Sequence, residues 1–307
     1  MAGSAAARRR VRVACQILRW AGSVPRRSPD GSQPLVTVII PTYNWSSVLR
    51  HAIRSVLWQT HRRLELIVVG DGCTDDSAEV VASFRDRRVR WINLAENSGA
   101  QSAPNNAGIA AARGEYVAYL GHDDLWHPRH LEGLVRACES GADVAFSLTE
   151  VLGPPGSNMR VLAGLSPSNT YERGRWLPSS CLLHHRSLVD QVSGWRDYRE
   201  LEVSHDIEFL MRAYDHGARF ARVPALTVFK FTAGWRPNSY RDRPSHEQAR
   251  YMRRMERERT FIVRELAAIT ALSLLPLPRR LPRPPDPASG QGLGWAVTHS
   301  RRVRGLD

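Results

Sequence analysis

Two acidic clusters stand where their chemistry is conspicuous. In "YVAYLGHDDLWHP" (116–128) an apolar run stops at Gly121-His122-Asp123-Asp124, and in "LELIVVGDGCTDDS" another ends at Asp71. Adjacent carboxylates repel, and beside a core they are costly unless a cation is near. A divalent metal would supply that cation; a helix-capping Asp beside a solvated neighbour is the plain alternative. A carboxylate held at a strand end, as Asp71 is, can accept the imide N–H of uracil or thymine. An Asp in a Gly-rich turn is the alternative there.

The elements that must position these groups alternate along the chain. Short apolar runs at 36–40, 64–70, 89–94, 115–120 and 143–151 predict strands, and the stretches 46–59, 75–84, 102–113 and 128–140 between them predict helices. Such alternation implies right-handed crossovers and a mainly parallel sheet, whose ligands bind beyond the carboxyl ends of its strands. Asp71, Asp123 and Asp124 all fall at such ends. After Glu150 the alternation fades: 174–195 reads as a strand and a short helix, 205–217 as a helix, and 218–224 and 226–231 as two strands.

The formal charge of +13 belongs to the ends of the chain. Residues 1–33 carry a net +6 and 276–307 a net +4, leaving 34–275 close to neutral. A groove for nucleic acid is therefore not expected. Cys15, Cys73, Cys138 and Cys181 form no Cys-x-x-Cys pair and suggest reduced thiols in a cytoplasmic protein. The basic leader, with Val13, Ile17 and Leu18 among arginines, reads either as disordered or as a peripheral contact with the anionic inner face of the cell membrane. The Pro/Arg-rich end would add a second such contact.

Four segments, taken in order, carry a resemblance: "VTVIIPTYNWSSVLRHAIRSVLWQT", "LELIVVGDGCTDDS", "NSGAQSAPNNAGIAAARGEYVAYLGHDDLW" and "GWRDYRELEVSHDIEFLMRAYDHG". Together they resemble the family 2 glycosyltransferases, from about Val36 to about Phe231. The resemblance implies a GT-A fold: an α/β, Rossmann-like, mainly parallel sheet sandwiched by helices, with a smaller mixed acceptor-side region and a C-terminal helix. The expected organisation is a leader (1–33), a glycosyltransferase domain (34–244), a C-terminal helix (245–275) and a tail (276–307). Within the domain, 34–151 would bind nucleotide and 152–244 the acceptor.

The implied activity is inverting transfer of a sugar from a nucleotide-diphosphate sugar to a glycan or lipid-linked acceptor, with Mn²⁺ or Mg²⁺ as cofactor, in cell-surface glycan or polysaccharide synthesis. The donor would meet Pro41, Thr42, Tyr43, Asp71, Asn105, His122 and Asp123, with Asp123 as the metal ligand. Asp206, at a helix start that favours an ionised carboxylate, matches the general base. Asp124 would cap a helix or orient the site, and His185, Trp195 and His205 are acceptor-side candidates. Arg236, Asn238 and Arg241 could close over the donor. Gly70, Pro104 and Gly121 replace the Asp, Arg and Asp usual in the family. These departures motivate the alternative of a catalytically impaired nucleotide-sugar-binding protein.

Overall fold

Strands with apolar residues on both faces need cover on both sides, and three of the first four runs have it, the edge strand at 89–93 being only half-buried. In the computed structural model, which describes residues 33–166, 168–274 and 302–306, β1 (Val36–Thr42), β2 (Leu64–Gly70), β3 (Val89–Asn93) and β4 (Tyr116–Tyr119) are parallel, in the order β3-β2-β1-β4. Every residue of β2 and β4 is buried. The helices between them are α1 (Ser46–Leu57), α2 (Ser77–Ser83) and α3 (Ser102–Ala110). On α1 the helical spacing of Val48, Leu49, Ala52, Ile53 and Val56 makes one buried stripe. Burying each large aliphatic side chain contributes about 1.5–3 kcal/mol.

Beyond β4 the sheet continues without a break but becomes mixed. Its further strands are β5 (Leu125–Trp126), β6 (Val144–Leu152), β7 (Arg160–Ala163), β8 (Leu182–His185) and β9 (Phe220–Phe231). The strand β8 inserts antiparallel between β4 and β6, β9 runs parallel to β6, and β7 forms an antiparallel pair on β6. Helix α4 (His130–Glu139) precedes β6, and α5 (Leu188–Val192), α6 (His205–Asp215) and α7 (Ser239–Asp242) lie in the second half.

Three local expectations are corrected. The two strands expected at 218–224 and 226–231 are one, because Pro224, which has no N–H to give, falls where the pairing with β6 is interrupted between Arg222 and Leu226. Two strands come in addition to those expected, the two-residue β5 and the four-residue β7, both too short to mark a strand by their pattern. The single C-terminal helix expected over 245–275 is two helices, α8 (His246–Arg257) and α9 (Phe261–Leu274), separated where Glu258 turns to extended backbone. Tyr251, Phe261 and Leu266 of this pair pack on Leu125, Phe229 and Phe231. Arg160 of β7 binds both Glu150 of β6 and Glu265 of α9, fastening the helix to the sheet. The basic leader and most of the Pro/Arg-rich tail lie outside the described residues. No helix among the described residues is long and apolar enough to cross a membrane.

Candidate active site

One edge of the sheet collects the carboxyl ends of β1, β2, β4 and β9, and the residues that lead into antiparallel β8. A cavity of about 430 Å³ opens there, lined among others by Thr42, Tyr43, Asp71, His122, Asp123 and Lys230. Pro41 and His205 also reach its wall.

Asp71 is held rather than free. Its carboxylate accepts hydrogen bonds from the Asn97 side chain (3.0 Å), the Ser98 N–H (2.9 Å) and the Gly99 N–H (3.3 Å). An ionised carboxylate has about four acceptor positions, so one remains for a ligand. The loop 97–99 is thereby tied to the end of β2, and this tie shapes the cavity wall.

His122 bridges two segments. Its Nδ1 lies 3.4 Å from the backbone N–H of Tyr43, which can only donate, and 2.8 Å from Thr42 Oγ1. Nδ1 is therefore the acceptor, and Nε2 carries the proton toward the Tyr240 hydroxyl at 3.0 Å. Burial holds the imidazole's pKa down at about 4, so the ring is neutral at ordinary pH. The Trp45 ring meets His122 and Tyr240 edge-on, at centroid distances of 5.7 and 5.0 Å.

The adjacent carboxylates have separate fates. Asp124 is fully buried and accepts from Ser180 Oγ (2.6 Å), Lys230 Nζ (2.9 Å) and the Phe231 N–H (3.1 Å). It does not cap α4; it is turned inward by the tight turn in which its own N–H bonds the Gly121 carbonyl at 3.0 Å. Pairing of Leu125 and Trp126 with Phe229 and Val228 brings Lys230 alongside. Asp123 instead lines the cavity. Burial raises the pKa of both carboxyls, and the Lys230 ammonium opposes that rise. Burial works against the charge on Lys230, but Asp124 and then Asp123 outweigh it and hold its pKa above the usual lysine value.

Asp206 sits half-buried in the first turn of α6, and Gln101 Nε2 donates to its Oδ1 at 2.9 Å. Gln101 itself lines the cavity, so Asp206 stands beside the space rather than across the molecule from it.

Other expected residues lie elsewhere. Asn105 is fully buried on α3, where Gln101 and Pro104 take the cavity-facing positions. His185 pairs with Tyr116, at the opposite edge of the sheet, because β8 runs antiparallel to β4; the buried His184 bonds the Tyr119 hydroxyl at 2.9 Å. Trp195 is core: its ring stacks on Phe209 at 4.4 Å, and the residue also lines a small side cavity of about 110 Å³. Arg236 is buried and bound to Glu247 and to the carbonyls of Leu152, Gly153 and Thr232. Asn238 binds the C-terminal segment, and Arg241 is exposed.

Sequence reasoning missed Lys230, Ser180, Gln101 and Tyr240. Only Lys230 left a signal: a lone charge inside the apolar run "LTVFKF".

The donor set bears on a metal. Among the described residues no group of three or more His, Cys, Asp or Glu is assembled to hold one. Both nitrogens of His122 are engaged and Asp124 is taken by three donors, which leaves the Asp123 carboxylate. One carboxylate completed by phosphate oxygens and water is an ordinary Mg²⁺ arrangement. The residues thus fit a divalent ion that arrives with a phosphate-bearing ligand.

The departures from the expected pattern are built into the packing. A Cβ at Gly70 would lie 2.3 Å from Asn93 Oδ1 and 2.6 Å from the Trp91 ring. One at Gly121 would lie 2.9 Å from Asp124 Oδ2.

The model of the family described as glycosyl transferase family 2 matches residues 37–186. An uncharacterized glycosyltransferase of Nostoc sp. is 39% identical over 172 residues, covering 51% of this chain and 52% of that protein. A putative teichuronic acid biosynthesis glycosyltransferase, TuaG of Bacillus subtilis, is 40% identical over 102 residues, 33% of this chain and 40% of that protein. The chain thus spans about half, or less, of the length of these curated relatives. Among solved structures, S. aureus TarS 1-349 in complex with UDP-GlcNAc is similar in fold, with a TM-score of 0.53 and 21% identity over 72% of this chain and 66% of that one.

Proposed function

Because residues 37–186 are a glycosyl transferase family 2 segment, we propose that this chain transfers a sugar from a nucleotide-diphosphate sugar to an acceptor hydroxyl, with inversion at the anomeric carbon. The observation that carries the reading is the one cavity into which Asp71, Asp123 and Lys230 face, with Asp206 held at its side by Gln101.

The donor we favour is a uridine diphosphate sugar. The remaining acceptor position on Asp71 suits an imide N–H, Tyr43 offers a ring beside it, and TarS has been crystallised with UDP and with UDP-GlcNAc. A glycan or lipid-linked acceptor in cell-surface synthesis accords with the name of the B. subtilis relative.

In the reaction, Asp206 takes the proton of the acceptor hydroxyl. The freed oxygen forms its bond to the anomeric carbon as the bond from that carbon to the diphosphate oxygen breaks, and the electron pair leaves with the diphosphate. Gln101 fixes the orientation of Asp206 in the first turn of α6. Lys230, paired with Asp124, holds the cavity wall beside the leaving group. A Mn²⁺ or Mg²⁺ ion at Asp123 would supply Lewis-acid stabilisation of the diphosphate.

Binding without turnover is the second reading, and the absence of room for acids at 70 and 121 favours it. Calorimetry with a panel of nucleotide sugars, with and without Mn²⁺, tests both. The first reading expects one nucleotide sugar to bind and to be turned over with a suitable acceptor. It also expects Mn²⁺ to bind only when nucleotide is present, and this binding to be lost in Asp123→Asn. Tight Mn²⁺ binding by the protein alone would contradict the one-carboxylate site. Failure of every nucleotide sugar to bind would overturn both readings.

A further inference from the structure

The C-terminal residues 302–306 lie against the cavity. Asn238 donates its backbone N–H to the Val303 carbonyl at 2.8 Å, and Gly305 donates to the Arg302 carbonyl at 3.0 Å. Gly305 has φ +78, a left-handed conformation that glycine adopts without strain, and a Cβ there would lie 3.2 Å from Cβ of Arg241. This close turn places Arg304 and Leu306 on the cavity wall. The Arg304 guanidinium lies 5.4 Å from the centre of the Tyr240 ring and also hydrogen-bonds its hydroxyl. Its charge is felt by both Asp123 and His122.

We propose that Arg304, which this turn carries to the cavity wall beside Leu306, is a further donor-binding residue, which meets the diphosphate of the nucleotide sugar. The inference rests on the nucleotide-sugar reading above. Three observations carry it. A diphosphate brings negative charge into a space already walled by Asp71 and Asp123, while the ammonium of Lys230 is bound to Asp124. The neighbouring wall position, Pro104, has no charge to offer. The cavity keeps about 430 Å³ with the segment in place, within the range of small-molecule sites, so the segment lines the space rather than filling it. A guanidinium already oriented by Tyr240 is well suited to phosphate, since its planar fork is preorganised.

The test compares UDP with uridine by calorimetry on the full chain, on Arg304→Ala, on Arg304→Lys and on a chain ending at residue 301. The exposed Arg302→Ala serves as the control. Loss of a charge-assisted contact to phosphate predicts UDP binding weakened about tenfold in Arg304→Ala and in the shortened chain, with uridine binding unchanged. Arg304→Lys should fall between, and Arg302→Ala should match the full chain. UDP affinity that is unchanged in both Arg304→Ala and the shortened chain would overturn the inference and leave the nucleotide-sugar reading standing. Tighter UDP binding by the shortened chain would overturn it in favour of a segment that occludes the site. A full chain that binds neither UDP nor any other nucleoside diphosphate would overturn that reading and this inference together.

Discussion

Lys230 Nζ lies 2.9 Å from Asp124 Oδ2, and this pair explains how a strand can run into two adjacent carboxylates. One acid is neutralised inside the protein; the other, Asp123, is left to the cavity. Removing one partner strands a buried charge, which typically costs about 3–5 kcal/mol, whereas replacing both together costs less. Urea unfolding should therefore show Lys230→Met and Asp124→Asn each strongly destabilised, and the double variant closer to wild type than the sum of the two. Strict additivity would show that the two side chains do not act as a pair.

The buried histidines set a pH dependence of stability. Burial pushes His122 and His184 down to about 4, and His130 well below its usual value. Unfolded, each takes up a proton near pH 6.5. The unfolded chain thus binds more protons below that pH, so the stabilisation is complete above about 6.5 and is lost as pH falls toward 4. For His122 and His184 the loss is about 3 kcal/mol each. Asp123 and Asp124, whose carboxyls are pushed up by burial, act in the opposite direction as pH falls. Unfolding midpoints should drop between pH 7.5 and pH 5, with a shallower drop in His184→Gln. A flat profile would refute the burial argument.

Restoring the acid that the family resemblance expects at Gly70 should harm this protein. The Trp91 ring and Asn93 occupy the space a side chain would need. Gly70→Asp is predicted to lose about 1–3 kcal/mol of stability through overpacking and to bind donor no more tightly. A stable Gly70→Asp with raised donor affinity would mean that this wall of the cavity yields more readily than its contacts imply.

The parallel half of the sheet was legible because its signal is local. Runs such as "LELIVVG" are apolar at almost every position, Glu65 excepted, and their ends place Asp71 and Asp123 at one edge without further information. Asp206 came from the resemblance and does lie beside the cavity. What escaped depends on pairings between distant segments. His185 was expected near the acceptor, yet the antiparallel insertion of β8 carries it to the far edge and brings Ser180 to the site instead. Lys230 reaches Asp124 only because two residues, Leu125 and Trp126, pair with β9. No period marks a strand that short. Trp195 and Asn105 show the same limit: a motif position does not say whether a side chain faces the cavity or the core.

The central claim, that Asp206 takes the acceptor proton beside a nucleotide-sugar cavity, is tested most directly by Asp206→Asn. The amide keeps the shape and can still contact Gln101, but it cannot accept a proton. With the donor and acceptor identified by the panel, transfer and donor affinity should be measured side by side. Loss of general-base catalysis predicts transfer slowed about 10²–10⁴-fold, with donor affinity changed by no more than about twofold. Transfer by Asp206→Asn at the wild-type rate, with donor still bound, would contradict the account.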